Sequence, residues 1–318
     1  MGKLASLINK TANYISQLKS VFRDKGLAKR FLKGWWHAFR APSLIIAFVS
    51  CFLGIALAYS QGHSNDLHSF IIIIAGLLIQ SGVNLMNDFY EYHARNIEDK
   101  IPHLKIEGTD RDVLEWSIFL TGVACFLLTI PLGLFLVYRT GWELLILGII
   151  GFIGGYGYTG EPFNYKRKGL GVVFVFFLMG VFMVTGSYFA IARHFTIESI
   201  IISLPISTLV SHILLSNEVR DYEYDLSYNH KTLAYRIGYP ASTALYFSLF
   251  AAAYIGTFVL WAFHYHPAPW FVLIALPFTI APIKNVYKTK GKRAGIIPAI
   301  MIHHGVFGIS FTLPYLLL

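Results

Sequence analysis

An all-α integral membrane protein, a bundle of nine transmembrane helices, is the fold class that this 318-residue sequence predicts. Three observations carry the prediction. Hydrophobic residues make up 55% of the chain and charged residues only 14%, far from the balance of a soluble domain. Nearly uncharged runs of about 20 residues, the length a helix needs to cross roughly 30 Å of hydrocarbon, recur along the chain. Lysine and arginine gather in alternate segments between those runs.

Nine runs fall at residues 43–60, 69–88, 114–137, 143–158, 170–192, 198–216, 241–263, 268–283 and 294–317. Stretches such as 70–79 and 170–181 are apolar on every face, which argues for helices and against a barrel of alternating strands. The fourth run is short and rich in glycine, and Gly148, Gly151, Gly154, Gly155 and Gly157 would let neighbouring helices approach closely. His303 and His304, in the ninth, point about 100° apart on a helix and so suit a polar contact between helices better than a shared ligand.

Of the 26 Lys and Arg residues, 24 lie in alternate segments, and only Arg139 and Arg193 fall between them. Basic segments stay cytoplasmic, so the N-terminus is expected inside and the C-terminus outside, most simply across a bacterial plasma membrane. Residues 1–42 form a basic interfacial arm beside anionic lipid, and 43–318 form the transmembrane domain. This sorting accounts for most of the net charge of +9, so no nucleic-acid partner is expected. The first long apolar run begins near Leu44 and reaches full span length, so helix 1 is expected to remain in the bilayer as no cleaved leader. Cys51 and Cys125 both sit within spans and suggest no disulfide framework.

Carboxylates kept at the edge of an apolar chain mark where chemistry is to be sought. One cluster, Asn84-Leu85-Met86-Asn87-Asp88-Phe89-Tyr90-Glu91, places Asn84, Asp88 and Glu91 on one helical face at i, i+4 and i+7. A second, Asn217-Glu218-Val219-Arg220-Asp221-Tyr222-Glu223-Tyr224-Asp225, repeats the stripe with Asn217, Asp221 and Asp225. Hard oxygen donors so arranged suit Mg²⁺, which keeps several waters and bridges to phosphates. Either cluster alone is equally well read as charges snorkelling at a helix end, but two clusters, each preceded by asparagine, favour a diphosphate and metal site. Lys166, Arg167 and Lys168, with Arg220, Lys231 and Arg236, lie in the same set of segments and could hold phosphate oxygens.

These residues resemble the UbiA superfamily of intramembrane prenyltransferases, and the resemblance covers almost the whole chain. Asn87-Asp88-Phe89-Tyr90-Glu91 and Asp221-Tyr222-Glu223-Tyr224-Asp225 stand where that family carries its two acidic motifs, after helices 2 and 6. Arg40-Ala41-Pro42, Tyr156-Gly157-Tyr158-Thr159-Gly160-Glu161-Pro162, Lys168-Gly169-Leu170-Gly171 and Lys231-Thr232-Leu233-Ala234-Tyr235-Arg236-Ile237-Gly238 are similar to the 1,4-dihydroxy-2-naphthoate prenyltransferases of menaquinone synthesis. The resemblance implies a central cavity open to the cytoplasmic side and to lipid, and Mg²⁺-dependent transfer of a polyprenyl group from polyprenyl diphosphate to an aromatic acceptor. The implied chemistry is electrophilic alkylation: diphosphate departs, and the electron-rich ring of the acceptor captures the allylic cation.

By that resemblance Asp88, Glu91, Asp221 and Asp225 hold metal, and Asp88, Asp221 and Asp225 are the catalytic acids. Asn84, Asn87 and Asn217 orient ligands or diphosphate, while Lys168, Arg220, Lys231 and Arg236 contact phosphate. Tyr158, with Phe89, Tyr90, Tyr156 and Phe174, would wall the reacting cation. The chain departs from the family pattern at Glu91, where aspartate is usual, and at Arg95-Asn96-Ile97, where a later aspartate is replaced by Glu98 or Asp99 further on. Two other readings stay open: a cyclase of the same fold without an aromatic acceptor, and, more remotely, a secondary transporter.

Overall fold

The computed structural model describes residues 19–95, 111–289 and 292–318 with isolated positions from 9 to 16, and the side chains among them other than those of residues 30, 91–95 and 111–114. Its helices are α1 (Lys25–Ala38), α2 (Leu44–Ser60), α3 (Asp66–Arg95), α4 (Arg111–Thr140), α5 (Glu143–Gly157), α6 (Gly171–Ala192), α7 (Ile197–Arg220), α8 (Tyr222–Ser227), α9 (Leu233–Ile237), α10 (Tyr239–Ala262), α11 (Pro269–Val286), α12 (Ile296–Thr312) and α13 (Pro314–Leu317). No strand occurs among the described residues. The protein is an integral membrane protein of the all-α class.

Eight helical stretches among the described residues are long and apolar enough to cross a membrane. The fourth expected run forms α5, which at 15 residues is about 22 Å long and falls short of a hydrocarbon core of roughly 30 Å. Nine expected spans thus become eight and one short apolar helix. Several helices overrun their expected ends: α3 continues from residue 88 to Arg95, and α7 from 216 to Arg220, drawing Asn217 and Glu218 into helix. The span expected at 268–283 opens as a 3-10 helix over Pro269–Thr279, with Pro277, which has no N–H to donate, inside it.

The chain divides into two compact units. The first comprises Met1–Ala41 and Leu78–Thr129. In it Asp24 caps α1, its carboxylate accepting from the N–H groups of Gly26 (2.7 Å) and Leu27 (3.1 Å). Ala38, Leu85, Ile118 and Cys125 form the core of this unit, flanked by Trp35, Phe39, Leu78 and Phe89.

The second unit comprises Pro42–Leu77 and Ile130–Leu318. Here α7 packs against α6, α10 and α12, and α2 packs against α6 and α12. Two glycines set the closest approaches. A Cβ at Gly54 of α2 would lie 2.3 Å from the Val184 carbonyl oxygen of α6, and one at Gly180 would lie 2.6 Å from the Ser207 Cα of α7. The crossing at Gly180 falls within a π-helical turn, Phe176–Phe182, inside α6. Of the α5 glycines, Gly154 meets Leu178 of α6, whereas Gly148 and Gly151 face open space among the described residues. The polar contact expected of the paired histidines forms at His303, whose Nε2 meets the Tyr254 hydroxyl at 2.9 Å. His304 is fully buried, and neither of its ring nitrogens has a hydrogen-bond partner among the described residues.

Between α10 and α11, His266 is buried with both ring nitrogens engaged. Nδ1 accepts from the Ala268 N–H (3.2 Å), so Nε2 carries the proton and donates to the Phe311 carbonyl (2.9 Å). A second proton would meet an N–H donor in an apolar setting, and burial accordingly lowers the His266 pKa to about 4.

Two outcomes follow from this packing. Gly54→Leu should lower stability by about 1–3 kcal/mol or more through overpacking, read as an earlier thermal unfolding transition in nanodiscs. For His266 the unfolded chain binds the proton more tightly than the folded one, so stability is complete above pH ~6.5 and falls as pH drops toward 4. A His266→Phe variant should show a flatter dependence of unfolding temperature over that window.

Candidate functional site

The two acidic motifs belong to different units, and each builds its own surroundings. In the first unit α3 carries Asn84, Asn87 and Asp88. Asn84 is buried and its amide nitrogen donates to the Phe39 carbonyl at 2.9 Å, while its carbonyl oxygen accepts from Gln80 at 3.3 Å. Asp88 pairs with Arg40, a residue held at φ 51° in the turn before α2. The stripe therefore clasps the 39–40 turn with two of its side chains. Asn87 is 2% exposed, and Phe89 packs on Phe119 with ring centroids 4.9 Å apart. The side chain of Glu91, and Glu98 and Asp99 altogether, lie outside the described residues.

In the second unit the motif sits where α7 ends. Asp221 leaves helical geometry (φ −92°, ψ 9°) and α8 begins after it, so the expected continuous stripe is shared between two helices. Backbone bonds from the Asp221 N–H to the Asn217 carbonyl (3.0 Å) and from the Asp225 N–H to the Asp221 carbonyl (2.8 Å) keep its i, i+4 spacing. The side chains nevertheless find different partners. Asp221 is chelated by Arg220 through Nε (2.7 Å) and Nη2 (2.6 Å). Asp225 is buried, accepts from the Thr232 hydroxyl at 3.0 Å and lies 3.4 Å from His230 Nδ1. The Asn217 amide nitrogen contacts the Ile213 carbonyl one turn back along α7 (3.3 Å).

Three residues that the motif reading passed over organise this end. Glu218, 3% exposed, accepts the Ala234 N–H at 3.0 Å. Arg293 donates from Nη1 to Glu223 (2.9 Å) and to the Val219 carbonyl (3.4 Å), with its guanidinium 4.3 Å from the centroid of the Tyr239 ring. Thr232 both caps α9, accepting from the Tyr235 N–H at 3.4 Å, and donates to Asp225. A Thr immediately before the apolar start of a helix, as Thr232 stands before Leu233, is a capping signal that could have been found in the sequence. Arg293 had no such signal, because its partners lie 70 and 74 residues away.

The basic residues come together in part. Gly169, at φ +76°, has no room for a side chain: a Cβ there would lie 2.5 Å from Arg236 Cδ. The turn bearing Lys168 is thereby pressed against the turn bearing Lys231 and Arg236, and Arg236 Nε also donates to the Lys231 carbonyl (3.1 Å). Lys168, Lys231 and Arg236 are all exposed. Tyr158 has Lys166 Nζ 5.5 Å from its ring centroid and edges onto Tyr165, which packs on Phe174. Tyr165, another unexpected member, is held by a 2.7 Å hydrogen bond to the Gly154 carbonyl, and burial raises its pKa.

No group of three or more Asp, Glu, His or Cys side chains poised to hold a metal occurs among the described residues. The acids of the second unit are instead divided among Arg220, Thr232, His230 and Arg293. The donors on both stripes are nonetheless carboxylate and amide oxygens, the hard set that suits Mg²⁺.

A helical bundle in the bilayer that gathers acids and basic turns at one end of a span defines the molecule as an intramembrane enzyme of all-α build. Residues 47–296 match the UbiA prenyltransferase family, and the chain belongs to that family and is a prenyltransferase. It is 30% identical over 257 residues to the 1,4-dihydroxy-2-naphthoate octaprenyltransferase of Bacillus subtilis (strain 168), covering 79% of this chain and 81% of that one. It is 27% identical over 255 residues to the UbiA prenyltransferase domain-containing protein 1 of Rattus norvegicus, covering 77% and 71%. In fold it is similar to a UbiA homologue from Archaeoglobus fulgidus solved with GPP and Mg²⁺, with a TM-score of 0.62 at 12% identity over 90% of this chain and all of that one.

The Arg293 contacts predict that Arg293→Ala destabilises the protein. Removing one partner of a buried ion pair costs about 3–5 kcal/mol, and the partial exposure of Glu223 moves the expectation to the lower end of that range. Thermal unfolding in nanodiscs measures it.

Proposed function

We propose that this prenyltransferase transfers a polyprenyl group from polyprenyl diphosphate to 1,4-dihydroxy-2-naphthoate, with Mg²⁺, as a step of menaquinone synthesis. The observation that carries the reading is the seam at Gly169, where two basic turns are pressed together beside the Asp221–Asp225 motif. The similarity to the Bacillus subtilis octaprenyltransferase supports the acceptor. The Archaeoglobus fulgidus homologue bound to GPP and Mg²⁺ supports the donor class and the metal.

In this reading Asp88, Glu91, Asp221 and Asp225 would hold Mg²⁺, which when bound supplies positive charge against the departing diphosphate. Lys168, Arg220, Lys231 and Arg236 bind diphosphate oxygens, and Asn84, Asn87 and Asn217 orient the carboxylates or the diphosphate. Asp221 and Arg220 neutralise each other in the structure; with substrate bound, Arg220 would be available to phosphate oxygens and Asp221 would be among the residues that hold Mg²⁺. Tyr158 and its aromatic neighbours exclude water from the allylic centre, and their π-faces favour a developing cation. The bilayer receives the apolar tail of the donor. Basic segments, including the lysines of α1, face the cytoplasm; the N-terminus lies inside and the C-terminus outside, with α5 as the ninth, short membrane segment.

Labelled polyprenyl diphosphate and dihydroxynaphthoate, incubated with the protein in lipid and Mg²⁺, should yield the prenylated adduct. Asp88→Ala and Asp221→Ala should each lower its formation by about 10²–10³-fold or more. Consumption of diphosphate without adduct would reject this acceptor and favour a cyclase, and adduct formation undiminished in either variant would remove that motif from the reaction.

A further inference from the structure

We propose that Glu218 is a positioning residue whose buried carboxylate sets the α9 turn, and with it Arg236, for diphosphate, a role that rests on the diphosphate reading above.

Glu218 lies on the last turn of α7, three residues before Asp221, and is 3% exposed. A carboxylate retained inside an apolar span is costly unless donors meet it. The donor here is the Ala234 N–H, at 3.0 Å from Oε2. That N–H belongs to the first turn of α9, where no intrahelical acceptor exists. The other carboxylate oxygen is buried and faces the start of α6: a Cβ on Gly171 would stand 3.7 Å from Oε1. Glu218 thus ties the end of α7 to the start of α9, with its other oxygen lying close to the start of α6.

The consequence reaches the basic residues through α9. Thr232, at its cap, donates to Asp225, so the short helix is tied to the second motif at two points, Glu218 and Asp225. Arg236, on the same helix, lies across Gly169 and so meets the turn that carries Lys168. With the Glu218 bond removed, the first turn of α9 loses its buried acceptor and keeps the Thr232–Asp225 bond, the Tyr235–Asn229 bond and the Ser242 contact to the Ala234 carbonyl, so the place of Arg236 over Gly169 is loosened.

Full-length protein in nanodiscs provides the test, with KM for polyprenyl diphosphate, kcat, and hydrogen exchange of segment 231–238 as readouts. Loss of a hydrogen bond to a charged group predicts that Glu218→Leu raises KM by about tenfold or more, with kcat within about threefold, and speeds exchange of that segment by a similar factor. Glu218→Gln, whose amide oxygen still accepts from Ala234, should remain within about threefold of wild type in all three. Arg236→Ala should raise KM on its own, and adding Glu218→Leu to it should have less than the full effect. A normal KM in Glu218→Leu beside a raised one in Arg236→Ala overturns the proposal while leaving the diphosphate reading intact; a normal KM in Arg236→Ala removes Arg236 from diphosphate binding and overturns the proposal too, whereas a wild-type protein that consumes no polyprenyl diphosphate refutes the diphosphate reading itself. Should Glu218→Leu fail to fold, Glu218→Asp withdraws the carboxylate by one methylene and is expected to raise KM to a smaller degree; a wild-type KM and exchange rate in that variant overturn the role.

Discussion

A carboxylate removed from bulk water needs a cation or N–H and O–H donors close by, and four carboxylates crowd the place where α7 ends. Each is answered differently: Glu218 by a backbone N–H, Asp221 by the adjacent Arg220, Glu223 by Arg293 and Asp225 by Thr232 beside His230. Because the donors come from α9 and from the segment leading into α12, satisfying these groups also fixes the path of the chain from Asp221 to Gly238. The start of α10, at Gly238 with φ 81°, follows from that path. The site and the local fold are consequently one problem in electrostatics.

The first unit meets the same requirement on a smaller scale. Asn84 and Asp88 hold the turn that precedes α2, the former through a backbone carbonyl and the latter through Arg40. Side chains suited to metal or phosphate in a working enzyme are partnered within the protein in the structure described. On the proposed reading, these groups would exchange such partners for a highly charged substrate. Exchange of one ionic partner for another demands far less than exposure of a bare charge to the interior.

Within α6 and α7 the demands are steric. Gly180 against Ser207 brings two backbones together inside a π-helical turn, and Gly54 does the same between α2 and α6. Lipid offers helices no hydrophobic reward for associating, so such close contacts supply much of the cohesion of the second unit. Polar hydrogen bonds at the two histidines, Tyr254 to His303 and Ala268 to His266, add directional links to this packing.

Composition, run length and charge sorting by themselves determined the all-helical membrane class and the approximate places of the apolar segments, because a bilayer imposes helix length and backbone self-sufficiency on any chain that crosses it. Motif spacing also picked out the stretches that carry both acidic clusters, although the break at Asp221 divides the second stripe between α7 and α8. Tertiary structure alone decided that α7 stops at Arg220 and that residues 269–279 coil as a 3-10 helix. It also decided which charge each acid meets. Arg293 and Glu223 are 70 residues apart and Gly169 and Arg236 are 67, and no local periodicity relates residues at such distances. Their pairing depends on how whole helices stack, and stacking is set by the shapes of many side chains together.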